Sequence, residues 1–343
     1  MQKIEQKPIV EVHDLKKYFP ITSGFFKKTV GYVKAVDGID MYVNEGETLA
    51  LVGESGCGKT TLGRCILQAI PPTSGEVKFR QKDGSVVDLV GMPYRDLRIV
   101  RRDMQMIFQD PYASLNPRMT ILNIIAEPLV CHNLMHGNEL REYVKELMAT
   151  VGLDPRHLER YPHAFSGGQR QRIGIARALA TKPRFIVCDE AVAALDVSVQ
   201  AQVLNLLMDL QEKMNLSYLF ISHDLGVVSH ISDRVGVMYV GHMVELAETT
   251  KLFARPMHPY TEALLSAKPV ADPRNKSQRI MLEGEVANPA RLPTGCPFHP
   301  RCRYCKPICK EQKPEWRELE PGHYVACHCA EDLSLGGMRG YDK

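Results

Sequence analysis

Residues 53–60 have the residue types and the spacing of a loop that binds phosphate. Glycines stand at positions 53, 56 and 58, and Lys59 and Thr60 follow them. Glycine lets successive backbone N–H groups point inward at phosphate oxygens, and the N-terminus of a following helix adds partial positive charge. In such a loop Lys59 reaches the β- and γ-phosphates, and the Thr60 hydroxyl binds Mg²⁺. The segment predicts a nucleoside triphosphate site made of Gly53, Glu54, Ser55, Gly56, Cys57, Gly58, Lys59, Thr60 and Thr61.

The residues on either side of this phosphate loop (residues 53–60) supply the context that the chemistry needs. The apolar run Thr48–Val52 predicts a buried strand, and Thr61–Leu67 predicts a helix. A strand that leads through a glycine-rich loop into a helix N-terminus places the loop where phosphate is bound. This order disfavours the alternative, a glycine-rich turn that matches by chance.

Two acidic residues follow a second apolar run. Residues 184–189 and 217–222 are short apolar runs with a predicted helix from Val199 to Met214 between them, which is typical of buried parallel strands. Asp189 is suited to hold Mg²⁺, directly or through water, and Glu190 is a candidate general base for the attacking water. A solvated turn is the alternative interpretation of two adjacent carboxylates.

A second glycine-rich segment stands before the apolar helix predicted over residues 173–180. Ser166, Gly167, Gly168 and Gln169 place two glycines at a helix N-terminus, which makes a second cradle for an anion. Since the chain already has one such cradle, a second makes sense if two chains face each other head to tail and each closes the nucleotide site of the other.

The order of these segments resembles the ATP-binding subunit of ABC transporters over roughly residues 8–255. The resemblance implies that Gln109 senses the γ-phosphate and contacts Mg²⁺, and that His223 contacts the γ-phosphate and positions the water. It implies that Ser166–Gln169 is the signature segment facing a partner's ATP, and that Asp196 belongs to the loop linking the two sites. For His223 alone, a capping or core role is the alternative. The catalytic residues implied are Glu190, His223 and Gln109, and the Mg²⁺ ligands are Thr60, Gln109 and Asp189.

Three positions depart from the pattern that is usual in this family. Ala191 and Ala193 stand where the family usually has Pro and Ser, and Phe165 stands in place of Leu. None of the three removes a catalytic group, so an active site is expected. For the aromatic residue that stacks on adenine, Phe19 is favoured, and Tyr32, in the insertion between Ile21 and Val33, is the alternative.

The composition is that of an ordinary soluble protein of about two domains, with 343 residues, 44% hydrophobic residues and a net charge of +3. This charge gives no argument for nucleic acid as a partner. No apolar run reaches the roughly 18–20 residues that span a bilayer, and the N-terminus lacks the apolar core of a signal peptide. We therefore expect a cytosolic protein that reaches a membrane only through a partner.

Six of the ten cysteines crowd into the segment from residue 296 to residue 329. In a reducing compartment such crowding favours a metal site over disulfides. The spacing of Cys296, Cys302, Cys309 and Cys327 resembles the C-terminal iron–sulfur motif of the family, which implies a 4Fe–4S cluster. Zinc is the alternative cofactor, bound by Cys302 and Cys305 with Cys327 and Cys329, and with His299 and His328 nearby. Free thiols are the third possibility.

Three segments narrow the resemblance to the ATPases of dipeptide and oligopeptide importers: Gln109–Pro117, Met257–Thr261 and the cysteine-rich tail. Residues 112–114 resemble the second of the two paired ATPase subunits in those systems. The resemblance implies a second ABC ATPase subunit in a heterodimer, two transmembrane permease subunits, an extracytoplasmic peptide-binding protein and no nucleic acid. It places the chain peripherally on the cytoplasmic face of the cell membrane.

Other cargoes and functions stay open at this point. Nickel and glutathione importers share the architecture. A less favoured alternative is an ABC-type ATPase that works on nucleic acid or ribosomes, since the chain has one motif set and no basic domain. A chain that binds ATP without hydrolysing it is disfavoured by the presence of Glu190 and His223.

The predicted fold is α/β, of the P-loop NTPase type, with a strand feeding the phosphate loop and parallel strands at 184–189 and 217–222. Residues 1–255 are expected to form the nucleotide-binding domain, with a helical subdomain at about 110–180. Residues 256–343 are rich in proline and are expected to form a small loop-rich extension that carries the cysteines.

Overall fold

The computed structural model describes residues 7–24, 28–267, 280–338 and 341. The predicted α/β class is confirmed, since strands and helices alternate along the chain. The strands are β1 Pro8–Ser23, β2 Lys28–Asn44, β3 Thr48–Val52, β4 Ser74–Arg80, β5 Val86–Asp88, β6 Met104–Ile107, β7 Phe185–Asp189, β8 Ser217–Ile221, β9 Arg234–Tyr239, β10 His242–Glu248, β11 Arg317–Glu320 and β12 His323–Val325. The helices are α1 Lys59–Ile66, α2 Tyr94–Val100, α3 Ile121–Cys131, α4 Gly137–Thr150, α5 Gly167–Leu179, α6 Val197–Met214, α7 Leu225–Ile231, α8 Thr249–Ala254, α9 Pro259–Ser266 and α10 Pro307–Glu311.

The chain divides into two compact units, each assembled from separate stretches of sequence. Of the described residues, the first unit takes 7–10, 43–47 and 79–221, and the second takes 11–42, 48–78 and everything from 222 onward. The domain boundary expected near residue 256 stays a prediction. Within the described part of the chain, no helix is both long enough and apolar enough to cross a membrane.

Parallel strands form the centre of the first unit. β6 pairs with β7 and β7 pairs with β8, both in parallel, with Met104 opposite Phe185 and Asp189 opposite Ile221. Every residue of β7 and β8 is buried, as expected for central strands that are covered on both faces. Because parallel strands end at one edge of a sheet, the residues that follow β6 and β7 emerge side by side there.

Three helices of the first unit pack on one another: α3, α4 and α5. Thr120 caps α3, which buries Ile121, Ile124, Ile125 and Leu129. These helices lie within the segment 110–180 for which helical periodicity was expected. The short helix α2 was not predicted from the sequence. Its seven residues bury only Leu97 and Val100, so it presents too little periodicity to be recognised from the sequence.

The second unit carries the strand that leads into the phosphate loop. β3 is entirely buried and pairs in parallel with β9, with Leu49 opposite Arg234 and Val52 opposite Val237. β9 pairs antiparallel with β10, β10 with β12, and β12 with β11. A smaller sheet in the same unit has β1 between β2 and β4.

Residues from the tail complete the hydrophobic core of this unit. Tyr239 of β9, Tyr260 of α9 and Phe298 pack with ring centroids 4.8–5.4 Å apart. The tail contains short elements only, α9, α10, β11 and β12, in agreement with the expected loop-rich composition. Its burial therefore depends on the strands of the second unit and not on a core of its own.

A buried carboxylate attaches the tail to β10. Glu245 is fully buried, and its Oε1 accepts hydrogen bonds from the Met257 amide (2.6 Å) and from His323 Nε2 (2.8 Å). Its Oε2 accepts from the His258 amide at 3.1 Å. One side chain thus fixes the chain before α9 and the start of β12, and buried polar groups with this many partners are costly to remove.

We expect Glu245→Ala to lower the free energy of unfolding by about 3 kcal/mol, because two amides and His323 lose their acceptor in a buried site. Urea unfolding followed by fluorescence measures this change. Glu248→Ala is the matched control, since Glu248 lies on the same strand and pairs only with exposed Lys251. Equal midpoints for the two variants would contradict the assignment of Glu245 as an anchor.

Candidate functional site

The phosphate loop is held by its own lysine. Lys59 is the first residue of α1 and is buried, and its Nζ donates to the carbonyl oxygens of Gly53 (2.7 Å) and Glu54 (3.0 Å). Ser55 and Gly56 form the exposed tip of the loop. Thr60 and Thr61 follow Lys59 in the first turn of α1, where a helix N-terminus favours an anion.

Backbone from two neighbouring strands lies against the loop and leaves no room for side chains. A Cβ on Gly53 (φ +148°) would stand 2.2 Å from the Met238 carbonyl oxygen, and one on Gly58 (φ +107°) would stand 2.1 Å from that of Ala35. Both glycines also have backbone angles that other residues rarely adopt. The geometry therefore requires glycine at both positions, and the assignment of the loop to a nucleotide stays a prediction.

The cysteine within the loop is a packing residue. Cys57 is buried, and burial raises the pKa of its thiol, so the sulfur is uncharged at neutral pH. Its Sγ lies 3.6 Å from Lys59 Nζ. The thiol fills space beneath the loop beside the lysine.

His223 belongs to the second unit and is exposed between two fixed neighbours. The Ser222 amide donates to the carbonyl oxygen of Leu51 in β3 at 3.1 Å. On the other side Asp224 caps α7, its Oδ1 accepting from the amides of Gly226 (2.7 Å) and Val227 (3.3 Å). This arrangement holds the imidazole beside the end of the strand from which the phosphate loop begins.

In the first unit the amide of Gln109 meets the carboxylate of Glu190. Gln109 Nε2 donates to Glu190 Oε2 at 2.6 Å, although the residues are 81 positions apart. Gln109 follows β6 and Glu190 follows β7, so the parallel pairing of those strands brings the two side chains together. Asp189, the last residue of β7, is buried. The three first-unit residues named for catalysis or Mg²⁺ thus gather at one edge of the sheet.

Glu190 has a strained backbone, with φ +48°. A side-chain-bearing residue in the left-handed region costs on the order of 1–3 kcal/mol and persists where its surroundings fix it. Here the Glu190 amide donates to the carbonyl oxygen of Ile221 at 3.0 Å, and its own carbonyl accepts from the Ala193 amide at 3.0 Å. This backbone conformation directs the Glu190 carboxylate away from the strand and toward Gln109. No sequence pattern predicted the positive φ.

The signature segment forms a capped helix N-terminus. The Ser166 hydroxyl accepts from the Gln169 amide (3.3 Å), and the Gln169 side chain accepts from the Ser166 amide (3.0 Å), a reciprocal capping box at the start of α5. A Cβ on Gly168 would lie 2.3 Å from Val199 Cγ1, so the glycine lets α5 approach α6 closely.

Asp196 caps the N-terminus of α6, the helix that Gly168 of α5 approaches. Its Oδ1 accepts from the Val199 amide (3.0 Å) and from the Ser198 hydroxyl (2.8 Å), and these donors hold the pKa of the carboxyl below its usual range. Gly167 faces Leu195. The signature segment and the loop around Asp196 therefore form one packed surface within the first unit.

Two arginines of α5 hold the segment that follows Gln109, and neither was singled out from the sequence. The Arg170 guanidinium lies over the ring of Tyr112, 4.0 Å from its centroid. Arg177 Nη1 donates to the Ser114 carbonyl oxygen at 2.8 Å. These contacts tie the segment 109–114 to the helix that begins at the signature segment.

The two aromatic candidates for adenine stacking are both partly exposed, Phe19 at 38% and Tyr32 at 51%. Lys17 Nζ lies 5.0 Å from the centre of the Phe19 ring. Nothing in this geometry separates the two, and the choice of Phe19 stays a prediction.

Five of the six tail cysteines line one cavity of about 20 Å³. Burial raises the pKa of Cys296 and of Cys302 to about 11 and that of Cys327 to about 12, so the thiols are protonated at neutral pH in the absence of a metal. Cys305 does not line the cavity. Within the ranges that the structure describes, no three His, Cys, Asp or Glu side chains are arranged to bind one metal ion. The cavity is lined by Cys296, Cys302, Cys309, Cys327 and Cys329 together with His258, His299 and His328.

Two tail residues reach the phosphate loop and were missed by the sequence. Arg301 Nη1 and Nη2 donate to the two carboxylate oxygens of Glu54 at 2.8 and 3.1 Å. The Glu54 amide donates to the Tyr260 hydroxyl at 2.8 Å. No sequence signal could have revealed these contacts, because they join positions more than 200 residues apart.

Comparison with known families matches two parts of the chain. The profile described as ABC transporter matches residues 36–193. The profile described as oligopeptide/dipeptide transporter, C-terminal region, matches residues 244–309. The phosphate loop, Gln109, the signature segment and Glu190 lie within the first match, and Arg301 and three of the four predicted cluster cysteines lie within the second.

Curated relatives are similar over nearly their whole length. The oligopeptide transport ATP-binding protein AppF of Bacillus subtilis is 56% identical, covering 96% of this chain and 99% of that protein. The oligopeptide transport ATP-binding protein OppF of Salmonella typhimurium is 52% identical, covering 94% and 96%. The dipeptide transport ATP-binding protein DppF of Haemophilus influenzae is 47% identical, covering 94% and 97%.

Solved structures confirm the type of fold. A dimeric ATP-binding cassette in a post-hydrolysis state, bound to ADP and phosphate, has a TM-score of 0.60 at 27% identity and covers 70% of this chain and 98% of that one. A second structure of the same cassette, also dimeric, has a TM-score of 0.61 at the same identity and coverage. The predicted P-loop NTPase fold of the ABC type is therefore confirmed.

We expect Gly168→Ala to destabilise the isolated chain by about 1–3 kcal/mol, because the new methyl group must displace the stiff Val199 side chain. Gly174→Ala in the same helix is the matched control. A Cβ there meets nothing within 4 Å, so it should stabilise α5 by up to about 1 kcal/mol. Thermal unfolding of both variants checks the sign, and a stabilised Gly168→Ala would show that the close approach of α5 and α6 is wrong.

Proposed function

The chain belongs to the family of ABC transporter ATP-binding subunits, and from this premise we propose that it hydrolyses ATP to power the import of short peptides through a membrane transporter. The three relatives described above, which are named for oligopeptide or dipeptide transport, match over 94% or more of the chain. The match of residues 244–309 to the C-terminal region of such transporters supports the same cargo class. The observation that carries the hydrolytic function is the Gln109–Glu190 hydrogen bond at the carboxyl edge of β6 and β7.

We assign the steps of hydrolysis to this chain's residues as follows. Lys59 exchanges the carbonyl oxygens of Gly53 and Glu54 for the β- and γ-phosphates when ATP binds. Glu190 accepts a proton as water attacks the γ-phosphorus, and the bond from that phosphorus to the β-bridging oxygen breaks to give ADP and phosphate. Gln109 orients the Glu190 carboxylate, and His223 donates to the γ-phosphate.

Magnesium is the cation that this donor set suits. The Thr60 hydroxyl, the Gln109 side-chain oxygen and the Asp189 carboxylate are hard oxygen ligands of the kind that Mg²⁺ prefers. Bound Mg²⁺ neutralises charge on the β- and γ-phosphates. The burial of Asp189 at the end of β7 supports this role, since a buried carboxylate favours a cation as its partner.

The proposed assembly follows from the second anion cradle. Ser166, Gly167, Gly168 and Gln169 form a capped helix N-terminus that serves the nucleotide of a partner chain, with Asp196 beside it. We propose a heterodimer with a second ABC ATPase subunit, attached to two transmembrane permease subunits on the cytoplasmic face of the membrane and fed by an extracytoplasmic peptide-binding protein. A similar cassette whose two solved structures are both dimeric supports a paired arrangement.

For the cysteines we propose that Cys296, Cys302, Cys309 and Cys327 hold a 4Fe–4S cluster. Support comes from their convergence on a single cavity in the tail. Four cysteine thiolates are the ligand set that such a cluster takes. Bound, the cluster supplies cross-links between separate loop segments and redox-active iron.

We predict that Glu190→Gln keeps ATP binding and lowers turnover by about 10²–10⁴-fold, because the amide cannot accept the proton of the attacking water. ATP hydrolysis in the assembled transporter measures the loss. Glu212→Gln, an exposed change on α6, is the control and should leave the rate unchanged. Undiminished hydrolysis by Glu190→Gln would refute the assignment of the base.

A second prediction concerns the cofactor of the tail. Protein purified without oxygen should be brown, absorb at about 400 nm and contain iron with acid-labile sulfide. Cys302→Ser should lose the colour, whereas Cys305→Ser should keep it, because Cys305 does not line the cavity. A colourless protein that contains stoichiometric zinc would contradict the assignment of a 4Fe–4S cluster.

A further inference from the structure

Glu54 is an acidic residue inside a loop that binds a polyanion. Glu54 follows Gly53, and its backbone carbonyl oxygen accepts from Lys59 Nζ at 3.0 Å. ATP bound at this loop would bring four negative charges near the Glu54 carboxylate, and like charges at short range repel. Such a residue would weaken phosphate binding unless its charge were compensated. The structure shows what compensates it.

Arg301 pairs with both oxygens of Glu54 in a two-pronged contact of 2.8 and 3.1 Å. The Arg301 side chain is only 8% exposed and that of Glu54 28%, so water screens the pair weakly. The buried Nε of Arg301 has no hydrogen-bond partner in the described residues, and the guanidinium lies over the Tyr239 ring, 5.9 Å from its centroid. The contact also raises the pKa of Arg301 above its ordinary value, which keeps the guanidinium charged.

The position of Arg301 is set by the turn that forms one wall of the cysteine cavity. The amide of Arg301 donates to the Phe298 carbonyl oxygen (3.0 Å) and that of Cys302 to the His299 carbonyl oxygen (3.2 Å). Phe298, His299 and Cys302 all line the cavity. A change in the cavity therefore displaces Arg301, because a single turn of backbone connects Arg301 to residues that line the cavity.

The other anchor of Glu54 starts from the same cavity. His258 lines the cavity and begins α9, and its Nδ1 accepts from the Tyr260 amide at 3.0 Å. The hydroxyl of Tyr260 accepts from the Glu54 amide at 2.8 Å. Two separate sets of contacts thus join the cavity to Glu54. One passes through Arg301, and the other passes through His258 and Tyr260.

We propose that Arg301 is a positioning residue that neutralises Glu54 for ATP binding, and that the cysteine cavity sets its position and thereby the ATP affinity of the phosphate loop. The proposal rests on the proposed ATP-binding function. The tail then acts as a regulatory element of the nucleotide site, because a displacement of the turn that lines the cavity alters the pairing of Arg301 with Glu54.

The test measures the dissociation constant of MgATP by calorimetry on the full-length chain. Arg301→Gln should raise it about tenfold, which corresponds to about 1.4 kcal/mol. Adding Glu54→Gln to the Arg301→Gln variant should return the dissociation constant to within about threefold of the wild-type value, because the uncompensated charge is then gone. The effect of Arg301→Gln should shrink at high salt, which a merely structural defect would not do.

Arg303→Gln is the matched control. Arg303 lies in the same turn but pairs with Glu262, away from the loop, and should leave the affinity unchanged. Thermal unfolding of each variant separates misfolding from loss of affinity. An Arg301→Gln protein that is folded and binds MgATP normally, or that Glu54→Gln does not rescue, overturns the charge pairing.

Cys302→Ser tests the link to the cavity. It should weaken MgATP binding in the unchanged protein and have no further effect in the Arg301→Gln background, because both changes act through one contact. Additive effects would show that the cavity does not act through Arg301. If the unchanged chain binds no MgATP, the proposed function itself fails, and that outcome is distinct from the failure of this inference.

Discussion

The lysine at the start of α1 is held by the carbonyl oxygens of its own loop, and the rest of the site is arranged around that constraint. Lys59 Nζ bonds to the carbonyl oxygens of Gly53 and Glu54, while backbone of β9 and β2 presses on the loop from outside. The loop cannot collapse and cannot accept side chains. A cation in a fixed cradle is what a triphosphate needs, because its binding then requires little rearrangement.

The same chain carries a second cradle that serves no anion of its own. The capping box at Ser166 and the close approach of Gly168 to Val199 shape a helix N-terminus beside Asp196. Both features lie in the first unit, and the phosphate loop lies in the second. The Arg170 and Arg177 contacts join this surface to the segment after Gln109, so the residues that we propose face a partner are tied to the residue that we propose orients Glu190.

Sequence reasoning predicted the features that local patterns encode. Glycine spacing identified the phosphate loop, and apolar runs identified β7, β8 and most of α6, because each rests on a few neighbouring residues. It could not find the pairing of Arg301 with Glu54, the bond from Gln109 to Glu190 or the positive φ of Glu190, since these arise when distant segments meet. Cysteine spacing predicted a common site, and only the fold distinguishes Cys305, which lies outside the cavity, from Cys329, which lines it.

Peptide-stimulated ATP hydrolysis by the complete transporter in lipid vesicles tests the central claim most directly. The account predicts slow hydrolysis by the isolated chain, because its phosphate loop lacks a partner's signature segment. It predicts a rate at least about tenfold higher in the assembled complex when peptide-loaded binding protein is supplied on the opposite side of the membrane. Equal rates for the isolated chain and the complex, with no response to peptide, would contradict it.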